Sequence, residues 1–217
     1  MSEGLFILQR GIFMNVYEIM QSGALYSCSD EELGKLQLQC LEKLYDYNAT
    51  RPLEQEKRAQ LLKEMFAEIG EGCYIEPPLR SNWGGRHVHF GKSVYANFNL
   101  TMVDDTAIYV GDYTMIGPNV TLSTGGHPIL PELREKAYQF NQPIHIGRNV
   151  WLGAGVIVLP GVTIGDNSVI GAGSVVTKDI PANVVAMGTP CRVVRPIGEK
   201  DREVYWRDKT ICWDEIE

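Results

Sequence analysis

The chain has 217 residues, 44% of them hydrophobic, with a formal net charge of −7 and an isoelectric point near 5.2. That length supports one folding unit with a full core and a short appendage. The acidic balance, with no Lys/Arg-rich run, argues against nucleic acid or an anionic membrane as partner, because both require a basic field.

The N-terminal apolar residues 5–8 and 12–13 do not read as a signal sequence: the only preceding charge is Glu3, the run is short, and no small-residue cleavage site follows. No window approaches the roughly 18 apolar residues of a membrane span. Met14 opens a segment that would serve equally well as a start, so residues 1–13 read as an extension with no role in the chemistry. Five cysteines, Cys28, Cys40, Cys73, Cys191 and Cys212, are scattered without a CxxC pair. Such spacing fits reduced thiols in a cytoplasmic protein better than a disulfide framework.

A helix is expected over residues 29–47. Ser29 and Glu32 have the spacing of a capping box, and Leu33, Leu36, Cys40, Leu41, Leu44 and Tyr45 recur at helical intervals. A second helix follows, with Pro52 in its first turn, Leu61, Leu62, Met65, Phe66 and Ile69 as its apolar stripe, and Gly70 as its stop. Residues 14–70 therefore read as a helical subdomain.

Beyond Gly70 the period changes. Aliphatic residues fall six apart in three runs: Val88, Val94, Leu100; Val110, Ile116, Leu122; and Ile146, Leu152, Val158, Ile164, Ile170, Val176. A six-residue repeat matches neither a helix stripe at 3.6 residues per turn nor an alternating hairpin strand, but it is the signature of a parallel β-helix. Three hexapeptides make one triangular coil, with Ile146 stacked on Ile164, Leu152 on Ile170 and Val158 on Val176. Leu122 and Ile146 keep the same phase, so the segment between them leaves the coil as a loop, 123–145, and returns. The fold expected is all-β dominated: a β-helix over residues 71–196 with an N-terminal helical subdomain. Residues 197–217, with Tyr205, Trp206 and Trp213 among charges, read as a cap over the last open coil.

Several segments carry more than periodicity: Tyr95-Ala96-Asn97-Phe98-Asn99-Leu100, Val103-Asp104-Asp105, Gly126-His127-Pro128, Gly147-Arg148-Asn149-Val150-Trp151-Leu152-Gly153, and Pro160 to Asn167. With the helical N-terminal segment they resemble the galactoside and maltose O-acetyltransferases of the hexapeptide-repeat superfamily, over about residues 20 to 195. The resemblance implies a left-handed β-helix, against the usual right-handed rule for parallel crossovers, and a homotrimer with active sites between subunits. It also implies direct acetyl transfer from acetyl-CoA to a sugar hydroxyl in a ternary complex, without a metal and without a cysteine nucleophile.

Within that resemblance His127 takes the place of the catalytic base. Transfer from a thioester to an alcohol needs a proton acceptor at the hydroxyl, a role suited to imidazole; taken alone, a histidine before Pro128 reads as a turn residue. Asn97 and Asp105 match acceptor-contacting positions, and their amide and carboxylate suit sugar hydroxyls, although both types are also common in turns. Asn97 is further expected to orient the acceptor during catalysis. Asn82 falls near another acceptor position, in a segment one residue longer than in relatives, and Cys28 stands where relatives often have Asp. Trp83 either stacks on a sugar ring or packs. For acetyl-CoA the resemblance marks Trp151, Gly153, Ala154, Ala172, Thr177, Lys178, Arg192 and Arg195. Small residues let the pantetheine arm lie close to the backbone, and the cations meet phosphates. Ordinary surface charge is the competing reading for Lys178 and the arginines.

His87 and His89 form an HxH pair on one side of a strand. A metal site of the γ-carbonic-anhydrase kind needs three converging histidines, which His87, His89, His127 and His145 do not supply, so structural or acceptor-side roles are expected for the pair. The other activities compatible with this sequence are a same-fold acetyltransferase for another hydroxyl or amino acceptor, such as an antibiotic or amino sugar, and a non-catalytic β-helix binding protein.

Overall fold

The computed structural model describes residues 6–7 and 13–216, so the reading of residues 1–13 as an extension lies almost wholly outside the described residues. Three helices precede the β-helix: α1 (Val16–Gln21), α2 (Glu31–Asn48) and α3 (Gln55–Met65). Helix α1, which the periodicity did not reveal, is held by a capping box of Asn15 and Glu18. The cap of α2 is Asp30, not Ser29: its carboxylate accepts from the N–H groups of Glu32 and Leu33, each at 3.0 Å. A carboxylate satisfies the unpaired N–H groups and also meets the positive end of the helix. Leu33, Leu44 and Tyr47 are the buried residues of α2. Tyr45 is exposed, because the buried stripe steps from Leu44 to Tyr47, whose hydroxyl donates to the Ile75 carbonyl at 2.6 Å.

Helix α3 ends sooner than its pattern suggested. Pro52 lies in the turn before it, and Phe66, with an extended backbone, terminates it. The chain passes directly into strand Glu68–Ile69, which pairs in parallel with Val88–Phe90. Gly70 therefore belongs to the first coil. Its N–H donates to the Phe90 carbonyl, and a Cβ there would stand 2.5 Å from the Gly91 oxygen.

From Glu68 onward the chain forms the left-handed β-helix expected, about six turns around three sheets of five, seven and five strands. The columns fall as the repeat dictates: Ile146 on Ile164, Leu152 on Ile170, Val158 on Val176. Only the first run is offset. Val88, Val94 and Leu100 are buried, but the row that stacks on Val110, Ile116 and Leu122 is Phe90, Ala96 and Met102. The corner at Asp104–Asp105 lengthens this coil and shifts its phase. Elsewhere Asn99, Asn119, Asn149, Asn167 and Asn183 turn corners with φ of 55° to 60°, a region that Asn tolerates better than most residues. Their side chains form ladders, as from Asn167 to Asn183 at 3.0 Å. One apolar core runs from Leu44 of α2 to Cys191; each large aliphatic in it contributes about 1.5–3 kcal/mol by burial.

The loop that leaves the coil after Ser123 is ordered. Gly125–Gly126 pairs antiparallel with Tyr138–Asn141, which pairs antiparallel with Tyr26–Ser27, so the loop is tied to the N-terminal segment. Strand Arg192–Pro196 covers Val184–Met187 at the far end. Beyond it lie helix Lys200–Glu203 and the hairpin Val204–Trp206 with Lys209–Thr210. Tyr205, Trp206 and Trp213 are exposed on the single chain. No helix among the described residues is long and apolar enough to cross a membrane.

Candidate active site

A pocket of about 240 Å³ opens between the N-terminal segment and the Asp104–Asp105 corner, lined by Cys28, Asn82, Trp83, Asp105 and Gln139 among others. The two adjacent carboxylates have separate tasks. Asp104 is fully buried and ties the corner to the first coil: it accepts from the Ser81 hydroxyl at 2.6 Å and from the Trp83 and Gly85 N–H groups at 2.8 and 3.0 Å. Burial pushes its carboxyl above the usual range, against the pull of these bonds. Asp105, 5% exposed, turns to the pocket. Its Oδ1 accepts from Asn82 Nδ2 at 3.0 Å and from the Trp83 indole N–H at 2.8 Å. Its Oδ2 is buried without a hydrogen-bond partner among the described residues.

Trp83 packs. It is 3% exposed, with Tyr17 edge-on at 6.2 Å and His87 tilted at 5.5 Å, so its ring offers no open face to a sugar. His87 is structural: its Nδ1–H donates to the Asp104 carbonyl at 2.6 Å and its Nε2 accepts from the Tyr17 hydroxyl at 2.7 Å. Burial lowers its pKa, the bond to Asp104 opposing. His89 is elsewhere, stacked on Tyr109, which stacks on His145, each at 4.7 Å. No cluster of metal-binding side chains occurs among the described residues.

His127 follows Gly126 at the rim of the looped segment. Its Nδ1 lies 2.9 Å from the Tyr138 carbonyl; a carbonyl only accepts, so Nδ1 carries a proton, and in the neutral imidazole the lone pair is on Nε2. The strand that supplies this carbonyl also carries Gln139, which lines the pocket. Cys28 borders the same pocket and is anchored by N–H donation to the Ala137 carbonyl at 3.1 Å. Burial raises the pKa of the Tyr26 hydroxyl; Tyr26 accepts from Asn141 at 3.1 Å.

Asn97 is not in this pocket. It stands in a corner column whose backbone bonds climb from Glu76 through Asn97, Gly117 and Gly153 to Gly171, and its Oδ1 accepts from the Phe98 N–H at 2.8 Å. The column brings Asn97 into line with Gly153, Ala154 and Ala172. Gly153 is required there: a Cβ would stand 2.6 Å from the Ala172 nitrogen. Ala154, Ala172, Thr177 and Lys178 are exposed, and Trp151 is 56% exposed. Gly153, Ala154 and Ala172 make a ledge of small residues after the strand that carries Trp151, whereas Thr177 and Lys178 lie at the next corner, after Val175–Val176. Arg192 is exposed, with one guanidinium nitrogen donating to the Cys191 carbonyl at 2.7 Å. Arg195 is committed otherwise, paired with both oxygens of Asp201 at 2.7 Å, an arrangement that holds the Asp201 carboxyl down at about 2.

Sequence reasoning missed Gln139, Tyr26 and the Tyr138 carbonyl. All lie off the hexapeptide register, and no local pattern announces that strand Tyr138–Asn141 folds back onto Tyr26–Ser27.

Comparison with known proteins agrees with this architecture. Residues 19–70 match the maltose acetyltransferase hexapeptide capping motif and residues 143–178 the bacterial transferase hexapeptide. A galactoside O-acetyltransferase of Lactococcus lactis is 54% identical over 92% of this chain and 97% of its own. Among solved structures, a galactoside acetyltransferase in complex with coenzyme A superposes with a TM-score of 0.88 at 49% identity, over 91% of this chain and 98% of the other. A maltose O-acetyltransferase from Clostridium difficile gives 0.83 at 44%, over 86% and 99%. The chain belongs to the galactoside and maltose O-acetyltransferase family of hexapeptide-repeat acyltransferases.

Proposed function

We propose that the protein transfers the acetyl group of acetyl-CoA to a hydroxyl of a sugar or glycoside, by direct attack within a ternary complex. His127 Nε2 takes the hydroxyl proton as the sugar oxygen bonds to the thioester carbon. The C–S bond then breaks, and the proton passes to the departing thiolate, leaving an O-acetyl ester and CoA. The observation that carries this reading is the Nδ1–H bond of His127 to the Tyr138 carbonyl, which fixes the tautomer a base requires.

Asp105, Asn82 and Cys28 contact the acceptor, and Asn97 orients it from the corner column. Trp151, Gly153, Ala154, Ala172 and Thr177 line the CoA arm, and Lys178 and Arg192 meet its phosphates; Arg195 joins them only on leaving Asp201. Because the acceptor pocket and the ledge lie on different parts of one chain, the reading includes a homotrimer in which neighbouring subunits complete each site. Exposed Met187, Val193, Val194 and Trp206 supply apolar surface for such contacts. The setting is cytoplasmic, with no nucleic-acid or membrane partner.

The test is thiol release from acetyl-CoA across glucosides, galactosides, maltose, amino sugars and hydroxyl-bearing antibiotics. Turnover of a sugar supports the reading and names its class. Turnover of only a non-sugar acceptor transfers the assignment to the same-fold alternative, and binding of CoA without turnover of any acceptor leaves a binding protein.

A further inference from the structure

We propose that Trp83 is a positioning residue of the acceptor site: its indole N–H fixes the Asp105 carboxylate so that Oδ2 is the one oxygen left to accept a hydrogen bond from the incoming sugar. The proposal rests on the reading of this pocket as the acceptor site. It starts from an asymmetry. Among the described residues both donors that reach the Asp105 carboxylate go to Oδ1, Asn82 at 3.0 Å and Trp83 at 2.8 Å, and neither serves Oδ2. A buried carboxylate oxygen without a donor is costly, and native structures keep few such groups without a reason. A ligand hydroxyl removes that cost; a ligand lacking it does not, so the carboxylate becomes a reader of one hydroxyl.

Gly125 lies directly beside the buried Oδ2. A Cβ on Gly125 would stand 2.9 Å from Oδ2 and 3.1 Å from Gln139 Nε2, so any larger residue there would crowd the oxygen that the sugar hydroxyl must reach. The indole is itself immobilised by Tyr17 and His87; Tyr17 is hydrogen-bonded to His87, and His87 donates to the Asp104 carbonyl. Gln21 of α1 donates to the Asp105 carbonyl at 2.9 Å and accepts from the Thr106 hydroxyl at 2.9 Å. The N-terminal helix thus clamps both the carboxylate's backbone and the indole that aims it. Trp is suited to this because its N–H only donates, so the bond cannot reverse polarity.

Trp83→Phe keeps most of the ring and deletes the N–H. With wild type and variant both shown folded by melting temperature, acceptor kcat/KM is expected to fall about tenfold or more, while KM for acetyl-CoA changes less than about twofold. On a panel of monodeoxy glycosides, the penalty that wild type shows for loss of one particular hydroxyl shrinks in the variant, which a packing role alone would not produce. Unchanged acceptor kinetics, equal changes in both KM values, or an undiminished deoxy penalty overturns the proposal. Should Trp83→Phe fail to fold, replacement of Trp83 by β-(3-benzothienyl)alanine, which has sulfur in place of the N–H, applies the same criteria. Wild type that acetylates no sugar defeats the acceptor-site reading itself, a result distinct from an active wild type matched by its variant.

Discussion

The imidazole of His127 donates from Nδ1 to the carbonyl oxygen of Tyr138 at 2.9 Å, and Tyr138 is in turn paired across an antiparallel ladder with Ser27. The geometry of the proposed base is therefore set by the N-terminal segment as well as by the loop that carries it. Disturbing that ladder should reach catalysis from a distance. Ser27→Pro, which breaks the pairing, is expected to lower kcat at least about tenfold while CoA affinity, read by calorimetry, stays within a factor of about three.

A methyl group beside the free carboxylate oxygen should act on the acceptor alone. Gly125→Ala places carbon 2.9 Å from Asp105 Oδ2, and the expected result is a rise of about tenfold or more in acceptor KM with KM for acetyl-CoA unchanged. Initial rates with each substrate varied in turn separate the two.

Leu152 stacks between Ile116 and Ile170 in the middle of the helix column and is fully buried. Leu152→Ala is expected to cost about 2–5 kcal/mol, the loss of transfer energy plus a cavity, measured by denaturant unfolding at fixed protein concentration. A polar change at exposed Lys178 should instead leave stability unaltered. Lys178→Ala is expected to weaken CoA binding about three- to tenfold, with the difference narrowing as salt is raised.

His87 gives a pH dependence with a definite sign. Its folded pKa is lowered by burial, so below the unfolded value of about 6.5 the unfolded chain binds more protons than the folded one. Its contribution is complete above that pH and is lost as pH falls through the folded pKa. The melting temperature of wild type is expected to drop from pH 7 to pH 5 more steeply than that of His87→Gln; parallel curves would remove His87 as the cause.

The β-helix was legible because one buried aliphatic recurs every six residues, and Ile146, Leu152 and Val158 stack where that spacing puts them. The same reasoning misread positions where a tertiary contact outweighs the local pattern. Gly70 has the look of a helix stop, but the strand at Glu68–Ile69 takes it into the first coil; Ser29 has capping-box spacing, but Asp30 offers a stronger acceptor. For the site, His127 and Asp105 were legible as polar residues inside recognisable motifs, whereas Asn82 lies in a segment outside them, one residue longer than in relatives. The grouping was not. That Gln139 lines one pocket with Asp105, and that Asn97 stands apart from both, depends on a loop folding back on the N-terminus, and no sequence period encodes it.

The most direct test of the account is thiol release from acetyl-CoA with an accepted sugar, wild type against His127→Ala, at saturating concentrations of both substrates. The account predicts a loss in kcat of about 100-fold or more, as removal of a general base requires, with CoA affinity retained. Equal kcat in the two proteins would contradict it and remove His127 from the chemistry.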